Sequence, residues 1–145
     1  MDRTRTDRDE RNAASLARMR SFVERLTDED LGRPLANGWT AAADIAHLAF
    51  WDRRASVILD RWARDGVSPS GADYDAINDA MLPQWLLIPP RAAVADALAA
   101  GEEINGKIAA LTDDLAATIK DGEVIRLDRS LHRADHLGEL ERSFS

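Results

Sequence analysis

The chain predicts an all-α fold, a four-helix bundle with one extra short helix. Apolar residues recur at three- and four-residue steps in four long segments, the spacing that gives a helix one buried stripe. Residues that start or stop helices fall at the segment borders. No strong β pattern competes, because Val124 to Leu127 reads equally well as extended loop. A bundle is the simplest way for four such helices to bury their stripes. At 145 residues the chain can bury such a core, and it is read as one domain over residues 1–145.

The first helix is expected from about Asp9 to Leu26, with Leu16, Met19, Phe22, Val23 and Leu26 on one face. Thr27 to Gly38 reads as a connector broken by Gly32, Pro34 and Gly38. The second long helix starts at Thr40, whose hydroxyl can accept from an orphan N–H of the first turn. Asp44 sits near the positive end of that helix dipole. The stripe continues through Ile45, Leu48, Trp51, Ala55, Ile58, Leu59 and Trp62, and Gly66 and Pro69 end it.

Val67 to Asp73 reads as loop and Tyr74 to Leu82 as the short helix, with Pro83 and Pro89-Pro90 disturbing the residues after it. Pro90 suits the first position of a helix running to about Leu111 on Val94, Leu98, Ile104, Ile108 and Leu111. Gly101 and Gly106 cost that helix ~1 kcal/mol each relative to alanine, unless they permit close helix contact. Thr112 to Gly122 is a polar connector with one turn at Asp114 to Ile119. The last helix is expected from about Asp128 to Arg142, with Leu131, Leu137, Leu140 and Phe144 as its apolar positions.

Composition is that of an ordinary globular protein, 45% hydrophobic and 31% charged. The net charge of −7 argues against a nucleic-acid partner, whose affinity comes mainly from neutralising phosphates. Arginines alternate with acids, most clearly from Asp2 to Arg11, as on a solvated mixed-charge face. There is no cysteine, which excludes disulfides, thiolate metal ligands and a cysteine nucleophile. Thiol chemistry here would need a thiol from outside the protein. MDRTRTDRDERN lacks the apolar core of a signal peptide, and no run approaches the ~20 apolar residues that cross a bilayer. A cytoplasmic protein with no membrane partner is the expectation. Lysine occurs only at Lys107 and Lys120 while arginine and alanine abound, which points to a GC-rich bacterial genome.

The three histidines carry the chemistry. His132 and His136 are spaced i, i+4, so on a helix they point the same way, about 6 Å apart along the axis. That spacing suits two imidazoles closing on one metal ion, and His47 can supply a third from another helix. Three neutral imidazoles leave at least one coordination position open, as a catalytic site requires. Other chemistries lack their motifs. There is no P-loop, no G-x-G-x-x-G and no G-x-S-x-G elbow, and Arg133 stands where H-E-x-x-H needs glutamate.

GWTAAADIAHLAFWDRRA, with Trp39-Thr40, His47-Leu48 and Trp51-Asp52, resembles the second-helix signature of the DinB/YfiT-like superfamily. There a tryptophan followed by Ser/Thr opens a helix that carries one metal-ligand histidine. LHRADHLGELERSF resembles the last helix of the same superfamily, with two more ligands as H-x-x-x-H. The short Asn78-containing helix and the Pro90 helix match the usual layout, so the resemblance covers about residues 8 to 144. It implies a four-helix bundle with zinc or nickel at one end of the core, held here by His47, His132 and His136. It also implies S-transferases using a low-molecular-weight thiol such as mycothiol or bacillithiol, related thiol-dependent isomerases and transferases, or metal-dependent hydrolases. Mycothiol-dependent isomerases usually carry a second C-terminal domain, and the sequence stops just after the last helix, which disfavours that assignment.

Ligand histidines usually donate their other ring N–H to a second acceptor. Asp44, Asp128 and Glu139 are the candidates, although such acids are ordinarily just solvated. Trp51, one turn after His47, and Tyr74 and Asn78, which share a face of the short helix, are candidates for a substrate pocket. Trp39 and Trp62 are assigned to packing, and Trp39, Trp51, Trp62 and Trp85 all suit packing or sealing of the bundle. Arg53, Arg54 and Arg133 flank the histidines and could hold a carboxylate of a thiol cofactor or substrate. The expectation is thus a metal-dependent, thiol-using transferase acting on a small molecule. The alternatives are a hydrolase in which a nearby acid such as Asp44 or Glu139 shuttles the proton, or a metal-stabilised stress or binding protein without turnover. A homodimer through a helix face is a further expectation that the sequence does not itself show.

Overall fold

The computed structural model describes residues 3–144, so the start of the mixed-charge run at Asp2 lies outside the described residues. Among the described residues seven helices occur in order: α1 (Arg3–Glu24), α2 (Asp28–Gly32), α3 (Ala41–Asp65), α4 (Tyr74–Trp85), α5 (Pro90–Ala109), α6 (Asp113–Thr118) and α7 (Ser130–Ser143). The described chain is an all-α bundle, with α1, α3, α5 and α7 as its long members. α3 packs chiefly on α5, and α1 lies against both α5 and α7. Among the described residues no strand forms, and Val124 to Leu127 is loop with Ile125 and Leu127 buried.

Helix borders follow local chemistry where caps are present. Thr40 accepts from the Ala43 N–H at 3.0 Å and starts α3, while Gly66 ends it at a φ of 89°, where side chains are disfavoured. Pro90 opens α5 as its first residue. α1 begins earlier than its apolar stripe. Arg5 reaches Asp113 at 2.8 Å and the Leu111 carbonyl at 2.7 Å, and these ties hold the polar first turns helical.

Three expectations are corrected. The Thr27 to Gly38 connector contains α2, because Thr27 and Asp30 form a reciprocal capping box and Leu31 is fully buried. α4 runs through Pro83 to Trp85, where burial of the indole outweighs one missing backbone bond. Leu131 is not a core residue but is 51% exposed. α7 is turned so that Arg133, Leu137 and Leu140 face the core, an i, i+4, i+7 stripe with an arginine in it.

The core has two parts. One joins Leu16, Met19, Phe22 and Val23 of α1 to Ala42, Ile45 and Leu48 of α3 and Leu137 and Leu140 of α7. The other joins Ile58, Leu59 and Trp62 to Ile104, Ile108, Ile125 and Leu127. Burying each large side chain contributes about 1.5–3 kcal/mol. Gly101 brings α5 close to α1, since a Cβ there would lie 2.6 Å from Leu16 Cδ1, whereas Gly106 faces open space.

Candidate metal centre

His47 projects from the second turn of α3, in a run from Ala41 to Ala49 that is buried throughout. His132 and His136 project from α7. The start of α7 is pinned to α1 by the buried Asn12, which accepts the Arg129 N–H at 2.7 Å and donates to the Leu127 carbonyl at 2.9 Å. Asp128 then accepts from both the N–H and the hydroxyl of Ser130 at the helix mouth. With α7 so fixed, the three rings meet. Ring centroids are 5.0 Å apart for His47–His132, 4.6 Å for His47–His136 and 4.7 Å for His132–His136. One ligand nitrogen from each ring lies within 4.8 Å of the others.

The electrostatics suit a cation. Burial, followed by the charge of His136, lowers His47 to about 4. Burial, with His136, His47 and two arginines adding, lowers His132 to about 3. Both rings are therefore neutral near pH 7, with lone pairs to offer. Burial also acts to lower His136, but the hydrogen bond and charge of Asp44 outweigh it, and the ring is raised above its ordinary value. Asp44 Oδ1 lies 2.6 Å from His136 Nδ1. That contact places the proton on Nδ1 and leaves Nε2 free. His47 Nδ1 is buried, lies 3.9 Å from Asp44 Oδ1, and has no hydrogen-bond partner among the described residues. An orphaned imidazole nitrogen beside two further imidazoles is a donor set that fits zinc or nickel.

Trp39 and Trp85 present edges to His47 at centroid distances of 5.7 and 5.3 Å and back the cluster with apolar surface. On the open side two cavities meet at the rings. A cavity of about 390 Å³ runs from His47 and His132 past Trp51, Tyr74 and Asn78 to Arg54, Arg126 and Arg129. A second, of about 450 Å³, touches all three histidines together with Trp39, Asp44, Asn78 and Glu139. Trp51 Nε1 donates to Asn78 Oδ1 at 2.9 Å, so the Asn78 amide N–H groups remain for a ligand.

A family model for the DinB superfamily matches residues 11–140. The chain belongs to the DinB superfamily. Comparison with curated proteins finds no match, and comparison with solved structures finds none either. Within this DinB-superfamily chain the histidine cluster joins the second long helix to the last one, bringing together residues far apart in the sequence.

The structure sorts the other candidates. Asp44, one turn before His47, serves His136 instead. Asp128 is engaged by Ser130 and by Arg11 at 3.0 Å. Glu139 is exposed, lines the second cavity and reaches His136 through charge. Trp51, Tyr74 and Asn78 all line the first cavity. Of the arginines, Arg54 lines that cavity, but Arg53 is tied to Asp96 and Arg133 is buried against Asp52, so neither is placed to hold a ligand. Trp39 packs against the first core as expected and also walls the site, while Trp62 is buried in the second core. Asn12, Arg126 and Arg129 were not singled out by sequence reasoning. Only the asparagine in an apolar helix register, one turn before Leu16, offered a signal.

Proposed function

We propose that the chain is a metal-dependent transferase. His47, His132 and His136 would hold zinc or nickel, and the sulfur of a low-molecular-weight thiol such as mycothiol or bacillithiol would bond to a small electrophile as that electrophile's leaving group departs and the thiol proton passes to solvent. The observation that carries this reading is the pair of cavities, about 390 and 450 Å³, that both reach His47 and His132. A three-imidazole cluster with that much adjoining space has room for ligands, as catalytic sites do. The lack of cysteine means the reacting sulfur comes from outside.

When bound, the cation lowers the proton affinity of a thiol or water beside it and so supplies a nucleophile at neutral pH. The protein does the rest. His47 and His132 stay neutral through burial and offer lone pairs. Asp44 orients the His136 ring by accepting its Nδ1 proton. Trp39 and Trp85 keep water from the back of the cluster. Asn78, held by Trp51, presents donors to both cavities. Glu139, in the cavity beside His132 and His136, favours hydrolysis as a second reading, since it can take a proton from an attacking water. The partners of this reading are small molecules in a bacterial cytoplasm, with no nucleic acid or membrane. Among the described residues, no helix is long and apolar enough to cross a membrane.

Elemental analysis of untagged protein should find close to one divalent ion per chain. His132→Ala should lose most of it, and full retention would count against the site. A screen with monobromobimane and chlorodinitrobenzene should show conjugation only with added thiol. Ester hydrolysis without any thiol-dependent rate would select the hydrolase.

A further inference from the structure

The two cavities differ in charge. Among the described residues, the second is lined by Asp44 and Glu139 and by no lysine or arginine. The first is lined by Arg54, Arg126 and Arg129 against Asp128 and Asp135. Asp128 is already engaged by Ser130 and Arg11. Arg129 gives Nε to Asp52 Oδ1 at 2.9 Å, but Arg133 takes Asp52 Oδ2 at 3.1 Å. One buried carboxylate thus serves two buried guanidiniums, and a positive charge remains at the cavity floor. The Arg54 guanidinium lies 5.5 Å over the Trp51 ring and reaches only the Ser70 carbonyl, at 3.4 Å, with no carboxylate partner among the described residues. The Arg126 side chain has neither ion pair nor hydrogen bond among the described residues. In a chain of net charge −7, this cavity gathers unneutralised cations.

Part of its wall is apolar, with the Trp51 and Tyr74 rings tilted at 47° to each other. Trp51 and Tyr74 lie 5.0 Å apart, and Val124 and Ile125 adjoin. Guanidinium groups pair with carboxylate and phosphate oxygens through directed N–H donors, and they gain strength where water is thinned.

We propose that the first cavity is a subsite for a small oxyanion-bearing ligand. Its carboxylate or phosphate would be held by Arg54, Arg126 and Arg129, and its apolar body would lie against Tyr74 and Val124. Among the described residues no arginine or lysine lines the opposite cavity. Substrate therefore enters head-first on the arginine side, with its far end toward His47 and His132. This names the substrate class of the proposed function and rests on that reading only for the statement that the far end reacts.

The test is direct binding to protein as purified, read by ligand-observed NMR, with metal content measured on the same samples. The probes are hydrocinnamate, phenethyl phosphate and the neutral hydrocinnamide. Both anions should bind about tenfold or more tightly than the amide, the size expected for charge-assisted hydrogen bonds. The tighter of the two anions identifies carboxylates or phosphate esters as the natural head group. Arg126→Gln and Arg54→Gln should each weaken anion binding about fivefold or more. Neither should change the amide affinity or the metal content. Arg53→Gln, tied to Asp96 outside this cavity, should change nothing. Equal binding of amide and anions overturns the proposal, as do unchanged affinities in both arginine variants or no binding of any probe. Anion binding lost in His132→Ala but kept in both arginine variants would place the anion on the metal and also overturns it. A metal-free protein that still binds anions through Arg126 would defeat the proposed function and leave the subsite standing.

Discussion

Helices α3 and α7 build two buried polar clusters, with His47 of one and Asp52 of the other five residues apart on α3, and the two behave differently. One is Asp52 with Arg129 and Arg133, completed by Asn12 and Ser15 of α1. The other is His47 with His132 and His136, backed by Asp44. In the first, protein groups answer one another, and among the described residues Nε of Arg133 is the one buried atom of the cluster without a partner. In the second, neutral rings turn lone pairs toward shared space and toward two cavities. A polar cluster that closes on itself fixes helix register. A cluster that stays unmatched waits for a ligand. Burial alone does not distinguish them, since His47 and Asp52 are almost equally inaccessible at 4% and 3%.

The largest expected effect would strike the closed cluster. Asp52→Ala leaves two buried guanidiniums without their carboxylate and should cost about 3–5 kcal/mol in urea unfolding. A loss below about 1 kcal/mol would show that water reaches these groups and would erase the contrast.

Acid should act on the open cluster of metal-stripped protein. His47 and His132 are held below the ordinary histidine value of 6.5, at about 4 and about 3. The unfolded chain therefore binds protons that the native rings refuse, and stability falls as pH drops from 6.5 through 4 toward 3. His47 alone should contribute a loss on the order of 3 kcal/mol. His136 has the opposite sign, because its raised value adds stability below 6.5 that disappears as pH rises through the folded value. Denaturant midpoints that stay level from pH 6.5 to 4 would mean that the rings are hydrated.

Asp44→Ala sharpens the comparison at the level of one hydrogen bond. Freed of its acceptor, His136 should hold metal about 10–100-fold more weakly, read by competition with a chelating dye. An unchanged affinity would reduce Asp44 to a helix-dipole residue. The smallest effects concern packing beneath the two clusters. Gly106→Ala should stabilise by about 0.5–1 kcal/mol. Gly101→Ala should gain less or lose, because its new methyl meets Leu16. Equal gains at both sites in thermal melts would mean that α1 yields freely there.

Most of the helical frame was legible in the sequence, and the reasons are local. Thr40, Gly66 and Pro90 set borders through hydrogen bonds and dihedral limits that reach only one turn. The misjudged borders have longer-range causes. Arg5 extends α1 by reaching residues 111 and 113, and Trp85 draws α4 past a proline into the core. Leu131 reads as core by its chemistry, but packing turned α7 to bury Arg133, whose partner lies 81 residues away.

The sequence by itself determined four long amphipathic helices, the absence of an internal thiol, and two imidazoles on one face of the last helix. Those properties follow from residue type and a 3.6-residue repeat, which no distant contact is needed to specify. Tertiary structure alone decided that Asp44 serves His136 and not its neighbour His47, that Trp85 backs the cluster, and that arginines line one approach and not the other. Such pairings depend on how far each helix slides and turns against the next, and that offset is set by the packing of the whole core.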